Sequence, residues 1–292
     1  MHSMATQESD LWELTTRSEA VYLDAVSEDA SSGFIARLCR FPDEKLAWTW
    51  LHVFHHGHVH SYTSHDVRCT DDPVVEDDDL VDYAAGEFRF TRNGNRLAPG
   101  QVSFSASAQL HSGSASPHGE GVLPCEIRAE FTGEHAGVQS RSGRSEVLGA
   151  TRAGITLGDV RLEIEARGQF HEQIQQDPRF TRPFTYATLR GRDVGCIFTR
   201  GVRGATGTLI RSNRPSGITS VKIGPPGTIR RLSIGLDSGE TVSGEAIATY
   251  QYEIPIFHMI RPGTLVSAEI GDARFSGCLN DLVFSDLAFD HL

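Results

Sequence analysis

The sequence predicts an all-β protein made of antiparallel strands, and three observations support this prediction. Apolar and polar residues alternate with period 2 over most of the chain after residue 33, most clearly in 160–167, where even positions are apolar and odd positions charged. Turn sequences such as Asn93-Gly94-Asn95 separate the alternating segments, and the chain contains 29 glycines. Helices are predicted only as two short stretches, 9–17 and 170–176. This pattern is typical of antiparallel barrels and sandwiches.

The candidate strands follow one another along the chain with turn sequences between them. In order they are residues 34–41, 46–54, 87–91, 101–110, 125–131 and 160–167, and then residues 184–189, 194–200, 218–223, 229–236, 240–252, 264–270 and 273–284. Glycine and proline mark the breaks at 213–217 and 224–227, because both residues favour turns and interrupt strand pairing.

The length of 292 residues is sufficient for two domains. A polar segment at 173–183 interrupts the strand pattern just past the midpoint. We therefore predict an N-terminal extension over residues 1–17, a first β-barrel over 18–170 and a second β-barrel over 171–292.

Composition excludes several classes of protein. The net charge is −11 and the largest charged cluster, within 71–79, is acidic, so a nucleic-acid partner is not expected. No apolar run approaches the roughly 18 residues that a membrane-spanning helix needs. The first residues lack the basic and apolar regions of a signal peptide, and the five cysteines are scattered without a C-x-x-C pair. These features predict a cytoplasmic protein with free thiols.

Signature motifs of cofactor chemistry do not occur in the sequence. There is no G-x-S-x-G nucleophile elbow, no phosphate-binding G-x-x-x-x-G-K-[ST] loop, no G-x-G-x-x-G after a strand and no H-E-x-x-H. We therefore expect no cofactor. The oligomeric state is not determined by the sequence.

A histidine-rich segment at 48–60 is the first candidate site. On a strand, Trp48, Trp50 and His52 would share one face, since side chains alternate between the two faces. His56, His58 and His60 would also share a face. They could bind zinc or iron if another part of the chain supplied a further ligand. The alternatives are a polar strand face and a metal-free lining of a cavity, in which histidines donate hydrogen bonds or protons.

Three further segments contain side chains that could act in catalysis or binding. His171 and Glu172 are adjacent, and could form an acid–base pair, although neighbours on a strand point to opposite faces. Asp24 follows an apolar stretch and would be a usable acid if burial raised its pKa, or else a partner for an arginine. Tyr250 and Tyr252 alternate along a strand and could line an apolar pocket or fill the core.

Two segments resemble the two-domain lipocalin-like family that contains carotenoid 1,2-hydratase (hydroxyneurosporene synthase) and the AttH-type proteins. The family opens with a segment close to E-W-W-Y-x-D, and residues 19–24 keep Tyr22 and Asp24 of it without a tryptophan. A family motif of the type G-x-x-D-H-S-W-G occurs near mid-chain. Its counterpart at 168–173 keeps the glycine and His171 but has neither the aspartate nor the tryptophan, which Gln173 replaces.

The resemblance implies two lipocalin-like barrels packed together, with an apolar ligand between or within them. Family members protonate a carbon–carbon double bond and add water, and fungal relatives fold linear polyenes into rings. His171 would match the motif histidine. Because the motif tryptophan is absent, a relative acting on another apolar substrate is expected rather than a conventional carotenoid hydratase.

Three hypotheses for function follow. The first is a cofactor-independent enzyme that acts on a small hydrophobic isoprenoid or polyketide substrate, by acid-assisted hydration, isomerisation or cyclisation in a barrel pocket. Its acid would be Asp24 or Glu172, and the side chains predicted to line the pocket are Trp48, Trp50, His52, His171, Tyr250 and Tyr252. The second is a non-catalytic carrier of lipid or pigment, and the third a metal enzyme that uses His56, His58 and His60.

Overall fold

The computed structural model describes residues 17–70, 74–77, 80–112, 121–134, 138–139, 143–176, 180–212, 214–256 and 259–283. These residues form antiparallel strands and a single 3₁₀ turn at Pro42–Glu44. The strands are β1 (Ser18–Val26), β2 (Gly33–Phe41), β3 (Leu46–His55), β4 (His58–Arg68), β5 (Val74–Asp77), β6 (Leu80–Ala85), β7 (Phe88–Asn95), β8 (Ala98–Ser112), β9 (Val122–Gly133), β10 (Val138–Gln139), β11 (Arg144–Leu157), β12 (Val160–Gln175), β13 (Phe184–Arg190), β14 (Val194–Gly201), β15 (Gly204–Arg211), β16 (Arg214–Ile223), β17 (Ile229–Leu236), β18 (Thr241–Ile256), β19 (Met259–Ile270) and β20 (Ala273–Leu282).

The predicted all-β class of two barrels is confirmed, whereas the helix predicted at 170–176 is wrong. Residues 170–175 continue β12, because they pair in register with β1 on one side and β11 on the other. The other predicted helix, 9–17, lies outside the described residues except for Arg17. None of the helical structure in the described ranges is long or apolar enough to cross a bilayer.

The first unit is a twelve-stranded sheet that contains β1 to β12. The strand order from β8 through β4, β3, β2, β1 and β12 reaches β11, and β9 pairs with both β11 and β8. The pairing therefore returns to its starting point, while β7, β6 and β5 extend from β8. Among the described residues, the strands within 18–175 pair with one another, and so do the strands within 184–282. The domain limits at 17, 170 and 292 remain predictions.

The second unit is a closed barrel in which β13 to β20 pair in sequence order and β20 pairs with β13. Alternation gives each strand an inner and an outer face. On β13 the inner side chains are Ala187 and Leu189, which belong to the barrel's apolar core, whereas Tyr186 points out towards the first unit and packs with Leu148. An ion pair, Arg230 Nη1 to Asp281 Oδ2 at 2.6 Å, is also buried in this unit.

The two units pack through the outer faces of their sheets. On β1, Val21 and Leu23 belong to the first unit's own core, while Ala20 and Tyr22 belong to a different apolar cluster. That second cluster also contains residues of β2, β3, β18, β19 and β20, so it spans the contact between the units. The sequence predicts alternation along each strand, but both faces of β1, β2 and much of β3 are buried. Burial on both faces creates the setting for a site between the barrels.

The motif glycine, Gly168, lies where three strands approach closely. A Cβ atom there would stand 2.1 Å from Thr151 Oγ1 of β11 and 2.6 Å from the carbonyl oxygen of Asp24 on β1. Both distances are shorter than any normal contact, so only glycine allows β12 to lie between these two strands at this point. The glycine of the motif thus has a packing role that brings β12 next to Asp24.

Candidate active site between the two barrels

A cavity of about 250 Å³ lies between the outer faces of the two units. We call it the inter-barrel cavity. Its described lining comprises the aromatic residues Tyr22, Trp50, Phe180, Phe184 and Tyr186, the arginines Arg37, Arg144 and Arg261, and His171, Gln173, Gln175, Thr199, Asn280, Ile35 and Ile254. The sequence predicted a pocket inside a barrel. The cavity differs from that prediction because the side chains that point into each barrel form its apolar core, and the polar groups collect on the face between the units.

The charge of this lining is positive, although the whole chain carries a net charge of −11. Three arginines line the cavity, and the described lining residues include neither aspartate nor glutamate. The Arg37 guanidinium lies 5.0 Å from the ring centroid of Trp50, and that of Arg144 lies 4.1 Å from the ring of Tyr186. The cavity therefore favours groups that are negatively charged or that become so during a reaction.

His171 lies at the centre of this arrangement and is 1% exposed. It pairs with Tyr22 of β1 and with Glu146 of β11 in the strand register, so its side chain points to the cavity side of the sheet. Its ring stacks on Tyr22, with centroids 5.7 Å apart, and meets the edge of Tyr186 at 6.3 Å. The two tyrosines thus fix the plane of the imidazole.

Arg144 determines how His171 can act. Arg144 Nη2 lies 3.3 Å from His171 Nδ1. Arginine has only donors, so Nδ1 must accept, and the single proton of a neutral imidazole then lies on Nε2. In the neutral ring, Nε2–H is therefore the group that can donate a hydrogen bond.

Asp24 is fully buried beneath Tyr22 and connects three strands. Its carboxylate accepts hydrogen bonds from Tyr22 Oη at 2.8 Å, from the backbone N–H of Gln169 at 3.1 Å and from Thr188 Oγ1 at 3.2 Å, and it forms an ion pair with Arg190. Asp24 was predicted to be either a catalytic acid or the partner of an arginine, and in the structure it is paired with an arginine. Burial, together with the Asp24 charge, raises the pKa of Tyr22 well above its usual value, so Tyr22 remains a neutral donor.

A second buried network supports the other side of His171. Glu146 Oε1 accepts from Tyr186 Oη at 2.8 Å and forms an ion pair with Arg144, whose Nε lies 2.8 Å away. Gln169 Nε2 donates to Tyr186 Oη at 2.6 Å. Burial and then the Glu146 charge raise the pKa of Tyr186 well above its usual value. Tyr186 consequently stays protonated and holds Glu146 and Arg144 in place.

Glu172 and His171, predicted as a possible pair, are not brought together. Glu172 points into the first unit, where its carboxylate lies 2.7 Å from Arg92 Nε and 3.1 Å from Arg96 Nε. Successive side chains of β12 point to opposite faces, which separates the two residues. Glu172 also raises the pKa of Tyr83, after the larger effect of burial.

Of the two tryptophans predicted to line the pocket, Trp50 lines the cavity and Trp48 lies one layer further out. Trp48 stacks on Phe180 with ring centroids 6.2 Å apart and packs at a tilt against Phe41 with centroids 4.5 Å apart, and so supports the cavity wall. Phe180 has a φ of +59°, a left-handed conformation that is unusual for a bulky residue. This backbone holds its ring beside Arg37 and Arg261, whose guanidinium carbons lie 5.8 and 5.3 Å from the ring centroid.

The remaining three predicted lining residues pack between the units beside the cavity. Tyr252 donates to Asn280 Oδ1 at 2.7 Å, and Asn280 lines the cavity. His52 lies 4.9 Å from the Tyr252 ring, and its Nδ1 is 2.8 Å from Ser61 Oγ. Tyr250 donates to the carbonyl oxygen of Ser31 and accepts from the backbone N–H of Gly57 at 3.2 Å, so it joins the two units.

His52 is expected to make stability depend on pH. Burial lowers its pKa from 6.5 to about 3. Between these two pH values the unfolded chain binds a proton at His52 and the folded chain does not. The free energy of unfolding therefore has its full value above about pH 6.5, and below that pH it falls by up to about 1.4 kcal/mol per pH unit. Urea unfolding at pH 7.5 and pH 5 should show an acid loss about 2 kcal/mol smaller in His52→Gln than in the wild type.

His58→Gln is the matched control for this experiment, because His58 is exposed on β4 and should keep the acid sensitivity of the wild type. If His52→Gln loses as much stability at pH 5 as the wild type, the burial of a neutral His52 is not what makes the protein acid-sensitive.

The three histidines of the metal hypothesis do not share a strand face. His56 lies in the turn between β3 and β4 with a φ of +49°, whereas His58 and His60 belong to β4, with ring centroids 6.3 Å apart. Within the described ranges, no three histidine, cysteine, aspartate or glutamate side chains are grouped so that they could bind a metal ion.

Comparison with known proteins gives a clear result only for solved structures, since no family model and no curated protein matches the chain. CghA in its structure with Sch210972 superposes with a TM-score of 0.66 at 11% identity, over 94% of this chain and 90% of that one. A protein assigned as AttH from Nitrosomonas europaea gives 0.63 at 11% identity, over 91% and 92% of the two chains. The chain has the fold of these proteins.

Kievitone hydratase from Nectria haematococca shares the same fold, with a TM-score of 0.56 at 8% identity over 91% of this chain and 89% of that chain. The resemblance to the two-domain lipocalin-like proteins of the AttH type, predicted from residues 19–24 and 168–173, is thus confirmed at the level of the fold.

Proposed function

We propose that this protein is an enzyme that acts at a carbon–carbon double bond of an unsaturated, largely apolar substrate bound in the inter-barrel cavity. Five aromatic side chains in the lining supply flat apolar surface for such a molecule. The fold it shares with a protein named kievitone hydratase, and with CghA, whose structure contains Sch210972, supports an enzyme of this kind.

The observation that carries the proposal is the contact between Arg144 and His171 Nδ1. It leaves His171 Nε2–H as a neutral hydrogen-bond donor in a cationic, aromatic cavity. Such a site stabilises negative charge on oxygen and disfavours a carbocation. We therefore propose that the reacting double bond is conjugated to a carbonyl group, and that His171 donates to the carbonyl oxygen.

Polarising such a carbonyl assists each of the three predicted reaction types. In hydration, a water oxygen bonds to the β-carbon, the carbonyl oxygen carries the negative charge of the resulting enolate, and the proton that the water loses is replaced by one delivered to the α-carbon, so that one H2O is added in total. In isomerisation a proton leaves one carbon and returns to another through the same enolate, and in cyclisation the polarised double bond accepts electron density from a diene. None of these reactions has a net oxidation or reduction, so we propose no cofactor.

The proposed roles of the predicted residues follow from their contacts. His171 is the proposed catalytic residue, and Trp50 contacts the substrate. Asp24 is a positioning residue, since it accepts the hydrogen bond of Tyr22, on which His171 stacks. Glu172 positions β12 from the opposite face through its arginine partners.

The test is a conversion assay with two conjugated ketones, chalcone and 6-phenylhexa-3,5-dien-2-one. We expect the wild type to consume at least one of them, seen as loss of the conjugated absorbance and as a product of equal mass or of mass increased by one water. A His58→Ala control, altered on the exposed part of β4, should react at the wild-type rate.

Two outcomes would contradict the proposal. Quenching of tryptophan fluorescence by the ketones without their consumption would indicate the carrier function instead. Absence of both binding and consumption at millimolar ketone would remove the conjugated carbonyl as the substrate feature.

A further inference from the structure

Arg261 of β19 is a buried cation in the wall of the inter-barrel cavity, and it is 4% exposed. Its guanidinium carbon lies 5.3 Å from the ring centroid of Phe180 and 5.2 Å from that of Phe184. Among the described residues no carboxylate lies within ion-pair distance of it, and its Nε is buried without a hydrogen-bond acceptor. Burial accordingly lowers its pKa.

Five other arginines of the described chain that are buried or mostly buried have carboxylate partners. These arginines and their partners are Arg40 with Glu19, Arg92 with Glu172, Arg144 with Glu146, Arg190 with Asp24 and Arg230 with Asp281. A buried guanidinium without an anion is unfavourable, since it loses hydration and gains no counter-charge. Aromatic rings offset part of the positive charge of a guanidinium. They cannot accept the hydrogen bonds of its N–H groups, which lie in the plane of the guanidinium fork.

We infer that the substrate carries a conjugated carboxylate, and that Arg261 binds it at the wall of the inter-barrel cavity. The inference rests on the proposed function for the unsaturated remainder of the substrate. A guanidinium presents paired N–H donors in one plane, which match two oxygens of a planar anion. Phe180 and Phe184 confine the fork, and Arg37, another arginine in the wall, lies 5.8 Å from the Phe180 ring centroid and adds positive potential.

The experiment compares 5-phenylpenta-2,4-dienoate with its primary amide, which has the same shape and no charge. Isothermal titration of the wild type should give at least tenfold tighter binding of the carboxylate, as expected for a desolvated charge-assisted pair. In Arg261→Met the carboxylate should lose at least tenfold in affinity while the amide binds as before. Arg261→Lys, which keeps the charge and loses the fork, should retain a reduced preference for the carboxylate.

Arg274→Gln is the matched control, because Arg274 lies on the exposed end of the barrel beside Glu269 and should leave both affinities unchanged. Equal binding of acid and amide by the wild type, or no binding of either at millimolar concentration, would overturn the inference. A carboxylate preference that survives in Arg261→Met would overturn the assignment to Arg261.

These outcomes are separate from those of the proposed function, since none requires turnover. A protein that binds the carboxylate through Arg261 but converts no conjugated compound fails as an enzyme and retains the anion site. A protein that converts neutral ketones without preferring the anion retains the proposed function and lacks the site.

Discussion

Replacement of Asp24 by alanine is expected to lower the free energy of unfolding by about 3 to 5 kcal/mol. The carboxylate is fully buried and bonds to Tyr22, Thr188 and the backbone of Gln169 as well as to Arg190. Its removal leaves the buried Arg190 guanidinium without a counter-charge and Tyr22 without an acceptor. Equilibrium urea denaturation, followed by tryptophan fluorescence and by circular dichroism, measures the change.

A double variant distinguishes a buried unpaired charge from simple loss of packing. Asp24→Ala with Arg190→Met should be more stable than Asp24→Ala alone, because the second change removes the uncompensated cation. Glu240→Ala, which breaks an exposed pair with Arg211, should leave the unfolding midpoint nearly unchanged. A single Asp24 variant as stable as the wild type would show that this ion pair does not hold β1 to the barrel.

The second large effect concerns activity. His171→Ala is expected to reduce the rate of conversion of a conjugated ketone about 100-fold to 1000-fold, the usual effect of removing one donor to a developing oxyanion. The change should appear in kcat more than in KM, because the hydrogen bond strengthens as charge develops on oxygen. Unfolding measurements on the same variant establish that the fold is retained.

The conservative variant His171→Gln tests the role assigned to the imidazole. The glutamine amide N–H can donate where Nε2–H donates, and its oxygen can accept from Arg144, so part of the lost rate should return. An imidazolium acid cannot be replaced in this way. If glutamine is as inactive as alanine, His171 transfers a proton instead of donating a hydrogen bond.

Part of the cavity lining was named from the sequence, although its electrostatics were not. Of the predicted site residues, Trp50 and His171 line the inter-barrel cavity, and strand register places Tyr22 of the first motif opposite His171. The arginines of the lining were missed. A usable signal was present in Arg37, since it stands between Ile35 and Cys39 on a face of β2 that is otherwise apolar. A charge at such a position needs a partner or a function.

Arg261 illustrates the limit of reading one strand at a time. It precedes Pro262 between the predicted strands 240–252 and 264–270, and nothing in the local pattern indicates which groups surround it. Its position beside Phe180 and Phe184 depends on how β19 lies against the segment that joins the two units. Arg144 lies outside every strand predicted from the sequence, and only the pairing of β11 with β12 brings it to His171.

The sequence by itself determined the all-β class and the two-unit arrangement, because side-chain alternation is a local property of each strand. Tertiary structure alone decided that the outer faces of the sheets meet, that the cavity lies between the barrels and that its charge is positive. Those features depend on which strands from distant parts of the chain come into contact, and on which buried charges find a counter-charge there. Alternation specifies that a face is apolar or polar, but the partner against which the face packs is a property of the folded molecule.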